Sequence, residues 1–154
     1  MATVNTMLLG IWDGHDAGAA LVQGDQIMFA INEERLSRRK LEIGFPRRSI
    51  AATLDFAGLK PADAATVAVS TSDFAKTLTR WFPAMREEYY LIRRRKKYPG
   101  ALTRFKKSLK YRLTEWPPSA VTRALSRVVL QRELRRVGLF GAELMLVDHH
   151  AAHA

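Results

Sequence analysis

The amino-acid sequence predicts an α/β fold built on one mixed β-sheet, because short apolar runs alternate with segments of helical periodicity. Strands are predicted over residues 7–12, 17–22, 26–32, 66–70 and 143–148. Only short turns separate the first three, and Gln23-Gly24-Asp25 is typical of a tight hairpin, so these strands predict an antiparallel meander. The last two follow helical segments and are predicted to extend the sheet as parallel strands.

A helix over residues 46–57 is predicted to connect the third strand to the fourth. Pro46 suits a first helical turn, and Gly58 is typical of the residue that ends a helix. Ile50 and Leu54 recur at helical spacing and predict the buried face.

Residues 33–40, before this helix, are predicted to leave the sheet as a charged loop. A helical insertion at about 74–138 follows the fourth strand. Helices are predicted over 74–97, with an interruption near Pro83, and over 101–113 and 118–137. The resulting order, β-β-β-α-β-(helices)-β, matches half of a ribonuclease-H-like or actin-like (ASKHA) domain. In such α/β sheets, phosphates and metals bind at the turns that leave the central strands.

Composition limits the protein class. The 154 residues suffice for one domain with a real core, and 47% hydrophobic residues is ordinary for a globular protein. Without cysteine there is no disulfide and no thiolate metal site. The N-terminus lacks a basic region, and its apolar run is too short for a signal peptide or a membrane span, so we expect a cytoplasmic protein.

Positive charge is concentrated in the predicted insertion. Residues 86–136 hold 16 Lys and Arg against 4 Asp and Glu, whereas the remaining residues hold 9 against 11. The run 93–97 (RRRKK), with aromatic residues nearby, is compatible with a module that binds RNA or an anionic membrane surface. No nucleic-acid motif accompanies it, which favours a solvated helical subdomain, one that could line the entrance for an anionic acceptor.

The last eight residues, 147–154 (VDHHAAHA), contain three of the four histidines and follow an apolar run that predicts a buried strand. Asp148 is a suitable N-cap for a helix. In such a helix His149 and His153 lie one turn apart on one face, where two imidazoles can share a metal ion, although the i, i+3 pair His150 and His153 is also geometrically possible. A third ligand must come from elsewhere, and solvated histidines at a strand-to-loop junction are the alternative. A helix needs more than one turn, so we expect the protein to continue past residue 154.

A second candidate site is the turn after the first strand, residues 10–20 (GIWDGHDAGAA). Its small residues let a ligand approach the backbone, and its N–H groups can face an anion. His15 could donate to a phosphate or act as an acid or base near neutral pH, although a turn histidine without a role is the alternative. Glu33 and Glu34 suggest paired carboxylates, but adjacent strand residues face opposite sides of a sheet. An ion pair from one of them to Arg35 or Lys40 is therefore favoured.

Taken together, these segments resemble a known family, the nodulation-protein and cephem-type O-carbamoyltransferases. The N-terminal domain of that family is similar to the metal domain of tRNA threonylcarbamoyladenosine synthases. The matching blocks are LGI at 9–11, HDAGAAL at 15–21, EERLSRRK at 33–40, GFP at 44–46 and HHAAHA at 149–154. Leu36 and Ser37 replace the family's usual Phe and Thr, and Leu41 stands where a histidine is common, which puts a secondary contact in doubt.

The resemblance implies a reaction in two stages. Carbamoyl phosphate and ATP give carbamoyl-adenylate in a separate YrdC-like domain, and the actin-like domain then moves the carbamoyl group to a hydroxyl of a small-molecule acceptor. Residues 1–154 would be the N-terminal part of that actin-like domain, inactive alone, with no nucleic-acid partner and no transmembrane segment.

The resemblance also implies roles for single residues. His149 and His153 match ligands of a divalent metal, iron in this family, with an aspartate far downstream as the third ligand. His15 matches an active-site histidine near the carbamoyl group. Lys40 matches a basic residue that faces the adenylate phosphate. Gly14 and Asp16 belong to the nucleotide-binding turn that contains His15, and Asp16 is expected to brace this turn.

Overall fold

A computed structural model of the protein describes residues 7–70, 82–96 and 120–147, together with positions 98, 100, 105 and 108. The strands are β1 (Met7–Trp12), β2 (Gly18–Gln23), β3 (Gln26–Asn32), β4 (Thr66–Ser70) and β5 (Glu143–Val147). The helices are α1 (Glu33–Ser37), α2 (Arg47–Phe56), α3 (Pro83–Arg93) and α4 (Ala120–Arg136), with a 3₁₀ turn at Pro61–Asp63.

The five strands form one mixed sheet in the order β3-β2-β1-β4-β5. β1, β2 and β3 pair antiparallel, whereas β1 with β4 and β4 with β5 pair parallel. Both the predicted meander and its parallel extension are confirmed. The hairpin turn between β2 and β3 uses Gly24 in the left-handed region, with φ of 60°.

The core lies between one face of the sheet and the helices α2 and α4. Strand residues of that face alternate with residues of the opposite face, as the two-residue repeat of a strand requires. The buried cluster contains Leu9, Ile11, Ala19, Val67, Val69 and Leu144 from the sheet, Ile50 and Leu54 from α2, Leu130 and Leu134 from α4, and Ala64 and Leu139 from loops. Full burial of one Leu or Ile stabilises the fold by about 1.5–3 kcal/mol, so this cluster is the main support of the fold.

The helix predicted over residues 46–57 is confirmed within one residue at each end. α2 begins at Arg47 with Pro46 as its N-cap residue, and Gly58 follows it with φ of 64°. Ile50 and Leu54 are buried, as their spacing predicts.

The predicted charged loop over 33–40 is wrong in its first half, because Glu33–Ser37 forms the short helix α1. Glu33 is buried, and its carboxylate accepts hydrogen bonds from the backbone N–H groups of Arg48 and Ser49 and from the Ser49 hydroxyl. The carboxylate of Glu34 accepts from the backbone N–H of Leu41 at 2.7 Å. Both carboxylates thus bond to other groups than the predicted ion-pair partners Arg35 and Lys40.

Within the predicted insertion, the structure describes helices over residues 83–93 and 120–136. α3 begins at Pro83, where an interruption was predicted, and α4 covers most of the predicted 118–137 helix. Of the predicted 101–113 helix only positions 105 and 108 are described, and both are helical. Among the described residues, no helix is long and apolar enough to span a membrane.

We expect Gly18→Ala to lower the free energy of unfolding by more than about 1 kcal/mol, as overpacking typically does. A Cβ there would lie 2.7 Å from the carbonyl oxygen of Ile31, and this backbone oxygen cannot rotate away. Gly10→Ala is the matched control, since its Cβ would meet Ala20 at an ordinary 3.7 Å. Urea unfolding of both variants decides the matter, and equal losses would contradict the steric argument.

Candidate functional site

The turn between β1 and β2, residues 13–17 (the His15 turn), holds the first candidate residues. Asp13 is buried at the end of β1, and Ala17 is buried at the start of β2. Asp16 has φ of 56°, a left-handed conformation in which aspartate is one of the better tolerated residues. This conformation lets the chain reverse direction while His15, between these buried ends, stays exposed.

A second segment, residues 41–44, lies beside this turn. The N–H of Ala17 donates to the carbonyl of Glu42 at 3.2 Å, and the N–H of Gly44 donates to the carbonyl of Gly14 at 3.2 Å. His15 and Ile43 form an isolated antiparallel β-bridge. The structure therefore brings together two blocks that lie far apart in the sequence, the one around His15 and the one that ends in GFP.

The side chain of His15 is held at one nitrogen. Its Nδ1 lies 3.0 Å from the Asp16 carboxylate, and the two side chains are 45% and 37% exposed. The indole N–H of Trp12 donates to the carbonyl of His15, and the Trp12 ring meets the imidazole edge-on, with centroids 6.0 Å apart. Nε2 has no partner among residues 7–70, 82–96 and 120–147. An imidazole oriented by a carboxylate at Nδ1 can accept a proton at Nε2.

Glu33 connects this turn to α2. Its backbone N–H donates to the carbonyl of Ala17 at 2.7 Å, while its carboxylate lies 2.8 Å from the N–H of Ser49. The first amides of a helix lack intrahelical partners and attract negative charge, so a buried carboxylate is stabilised there. Glu33 is thus a structural anchor between the turn and α2.

The three cations at 38–40 divide into two kinds. Arg39 is bound to Glu87 of α3 through two contacts of 2.9 and 3.0 Å and lies over the ring of Tyr90 at 4.2 Å. The hydrogen bond to Glu87 raises the pKa of Arg39 above its usual value. Arg38 and Lys40 are exposed, and neither side chain has a hydrogen bond within the described part of the chain. Arg39 therefore holds α3, while the ammonium of Lys40 remains available to an anion.

The predicted metal ligands His149 and His153 lie outside the described residues. The strand before them, β5, is parallel to β4 and β1, with Leu146 paired to Val69 and Val69 to Ile11. The carboxyl ends of these strands lie on one edge of the sheet, so the chain leaves β5 about 10 Å, two strand spacings, from the end of β1. Among the described residues no group of three or more His, Cys, Asp or Glu could hold a metal.

Sequence reasoning placed His15, Gly14, Asp16 and Lys40 near one another, and the structure puts all four in or beside the joined segments 13–17 and 40–44. It missed the contact of Arg39 with α3, which depends on a pair 48 positions apart in the sequence. Gly44 is the residue that could have indicated this contact, since a glycine in a loop often marks a position where another group approaches the backbone closely.

The family profile described as Carbamoyltransferase N-terminus matches residues 7–154, nearly the whole chain. The chain belongs to this family. It is 45% identical over 49 residues to the nodulation protein NolNO of Sinorhizobium fredii, a match that covers 32% of the chain and 7% of that protein. It is 50% identical over 44 residues to an uncharacterized protein of Methanocaldococcus jannaschii, covering 29% of the chain and 9% of the relative. The matched stretches are thus a small part of both relatives.

We expect Glu33→Ala to lower the free energy of unfolding by at least about 2 kcal/mol, because buried donors on Ser49 lose a charged acceptor. Glu33→Gln keeps the shape and one acceptor, so its loss should be smaller. Glu143→Gln, at an exposed position of β5, is the control and should change stability by less than about 0.5 kcal/mol. Denaturant unfolding measures all three; a neutral Glu33→Ala would show that the anchor is dispensable.

Proposed function

We propose that this chain is the N-terminal part of an actin-like O-carbamoyltransferase that uses carbamoyl-adenylate, made from carbamoyl phosphate and ATP, as donor. The observation that carries the proposal is His15, exposed and oriented by Asp16 at the edge where the parallel strands end, in a chain of the carbamoyltransferase N-terminus family. The sheet order, an antiparallel meander extended by two parallel strands, supports the actin-like assignment.

In the proposed transfer step, Nε2 of His15 takes the proton of the acceptor hydroxyl. The hydroxyl oxygen forms a bond to the carbamoyl carbon, the bond from that carbon to the adenylate oxygen breaks, and AMP leaves as the carbamate ester forms. The carboxylate of Asp16 holds Nδ1 and stabilises the imidazolium that results. Lys40 supplies a positive charge to the phosphate of the leaving AMP, whose negative charge increases as the bond breaks.

The turn also supplies the space that the donor needs. Gly14 has no side chain to obstruct a phosphate, and its carbonyl is already bonded to the N–H of Gly44, which fixes the backbone. Asp16 keeps the turn in its left-handed conformation. These residues orient and bind; the separate adenylating domain, of the YrdC-like type, would make the donor.

A divalent metal, iron by the family resemblance, is part of the proposal. His149 and His153 would hold it, since imidazole is a suitable ligand for iron and the segment leaves the sheet at the same edge as the His15 turn. When bound, the metal would act as a Lewis acid toward phosphate oxygens.

We expect His15→Gln in the full-length protein to reduce carbamoyl transfer at least about 100-fold, the lower range for loss of a general base. Formation of adenylate, measured as pyrophosphate release, should stay unchanged. Asp25→Asn, in the hairpin turn after β2, is the control with normal activity. Loss of both partial reactions in His15→Gln would place the histidine outside the transfer step.

We expect His149→Ala and His153→Ala each to lose the bound metal, measured by elemental analysis of the purified full-length protein. His150→Ala is the matched control and should keep it, because residues 149 and 153 share a helix face. If His150→Ala loses the metal and His149→Ala keeps it, the ligand pair is 150 and 153 instead. If the wild-type protein contains no metal and does not consume carbamoyl phosphate, the alternative is favoured. In that alternative the basic helices bind RNA or an anionic surface.

A further inference from the structure

The helix α3 lies directly on the loop that contacts the His15 turn. An added Cβ at Gly44 would lie 2.6 Å from Cδ and 2.7 Å from Nη1 of Arg86. The Arg86 side chain therefore packs on the glycine, and a Cβ at this position would require that side chain to shift. Gly44 is in turn hydrogen-bonded to Gly14, the residue before His15. Arg86 is thus one residue contact and one hydrogen bond away from the candidate site.

Arg86 is not what holds α3 in this position. The ion pair of Arg39 with Glu87, in which Nη2 donates to both carboxylate oxygens, already holds the helix on the loop, together with the contact of Arg39 with Tyr90. The second carboxylate near Arg39, that of Glu42, lies 3.5 Å from its Nε. The acidic side chains shown at this junction are therefore occupied by Arg39, which leaves Arg86 as a cation without an assigned role.

The guanidinium of Arg86 has no hydrogen bond or ion pair to any residue in the described ranges, although the side chain is partly buried. Taking a charged group out of water without a partner costs free energy. A guanidinium offers a planar set of N–H donors that matches two oxygens of a phosphate or carboxylate. Lys40, which is exposed and likewise has no partner within the described part of the chain, adds a second positive charge on the loop that α3 contacts.

We propose that Arg86 binds an anionic group, a phosphate or a carboxylate, of a substrate bound over the turn at residues 13–17. The identity of that substrate rests on the proposed carbamoyl transfer, whereas binding of the anion does not. Two sources have the same chemistry: the phosphate of the donor nucleotide, and an acidic group of the acceptor. In either case α3, the first helix that the structure describes in the basic insertion, is a wall of the binding site and not a separate surface.

The test is calorimetric titration of the full-length protein with inorganic phosphate at constant ionic strength. Arg86→Gln should weaken phosphate binding at least ten-fold. Arg86→Lys should show an intermediate loss, because it keeps the charge but not the two-pronged geometry. Arg132→Gln, which removes an exposed cation from α4, is the matched control and should bind phosphate like the wild type. The thermal midpoint of each variant confirms that the protein is folded.

A second titration in saturating AMP separates the two sources. If AMP displaces phosphate from the wild type, Arg86 binds the donor's phosphate; if phosphate still binds and Arg86→Gln abolishes it, the site belongs to the acceptor. A wild type that does not bind phosphate, or an Arg86→Gln variant that binds it normally, overturns the inference. Since no turnover is measured, a protein that binds phosphate through Arg86 but transfers no carbamoyl group would refute only the proposed function.

Discussion

At the first turn of α2, the buried carboxylate of Glu33 accepts hydrogen bonds from two backbone amides and one hydroxyl, while the N–H of the same residue donates to Ala17. One residue thus satisfies helix donors that have no other partner and holds the end of the turn at residues 13–17. The meander, the His15 turn and the core helix meet at this point. Because a buried charge is tolerated only when it is well bonded, the geometry of the turn and the stability of α2 depend on each other.

The parallel half of the sheet determines where the site assembles. β1, β4 and β5 end on one edge, so the turn after β1 and the segment after β5 leave the sheet near each other. The antiparallel half contributes differently, since β2 and β3 bring the loop at 40–44 back to the same edge. Both halves of the sheet therefore contribute to the edge at which His15 and Lys40 lie and at which β5 ends.

The sequence predicts the strands well, because their apolar runs are short, regularly spaced and separated by clear turn residues such as Gly24 and Gly58. It also predicts α2, whose periodic face is unambiguous. It does not predict α1, because a run of charged residues is typical of an exposed loop. Only the structure shows that Glu33 is buried and accepts hydrogen bonds. The site is predictable as a set of motif residues. The contact of α3 with the loop is not, since it depends on tertiary packing between segments with no local pattern.

Arg39 and Glu87 form an ion pair between positions 48 residues apart in the sequence, and the guanidinium of Arg39 lies over the ring of Tyr90. A change at either position alone leaves the other charge without its partner and loosens the only described ion pair that holds α3 on the loop. The two positions are therefore expected to change together in homologues. A homologue that has lost the arginine is expected to have lost the glutamate too, and to pack the helix equivalent to α3 differently on the loop.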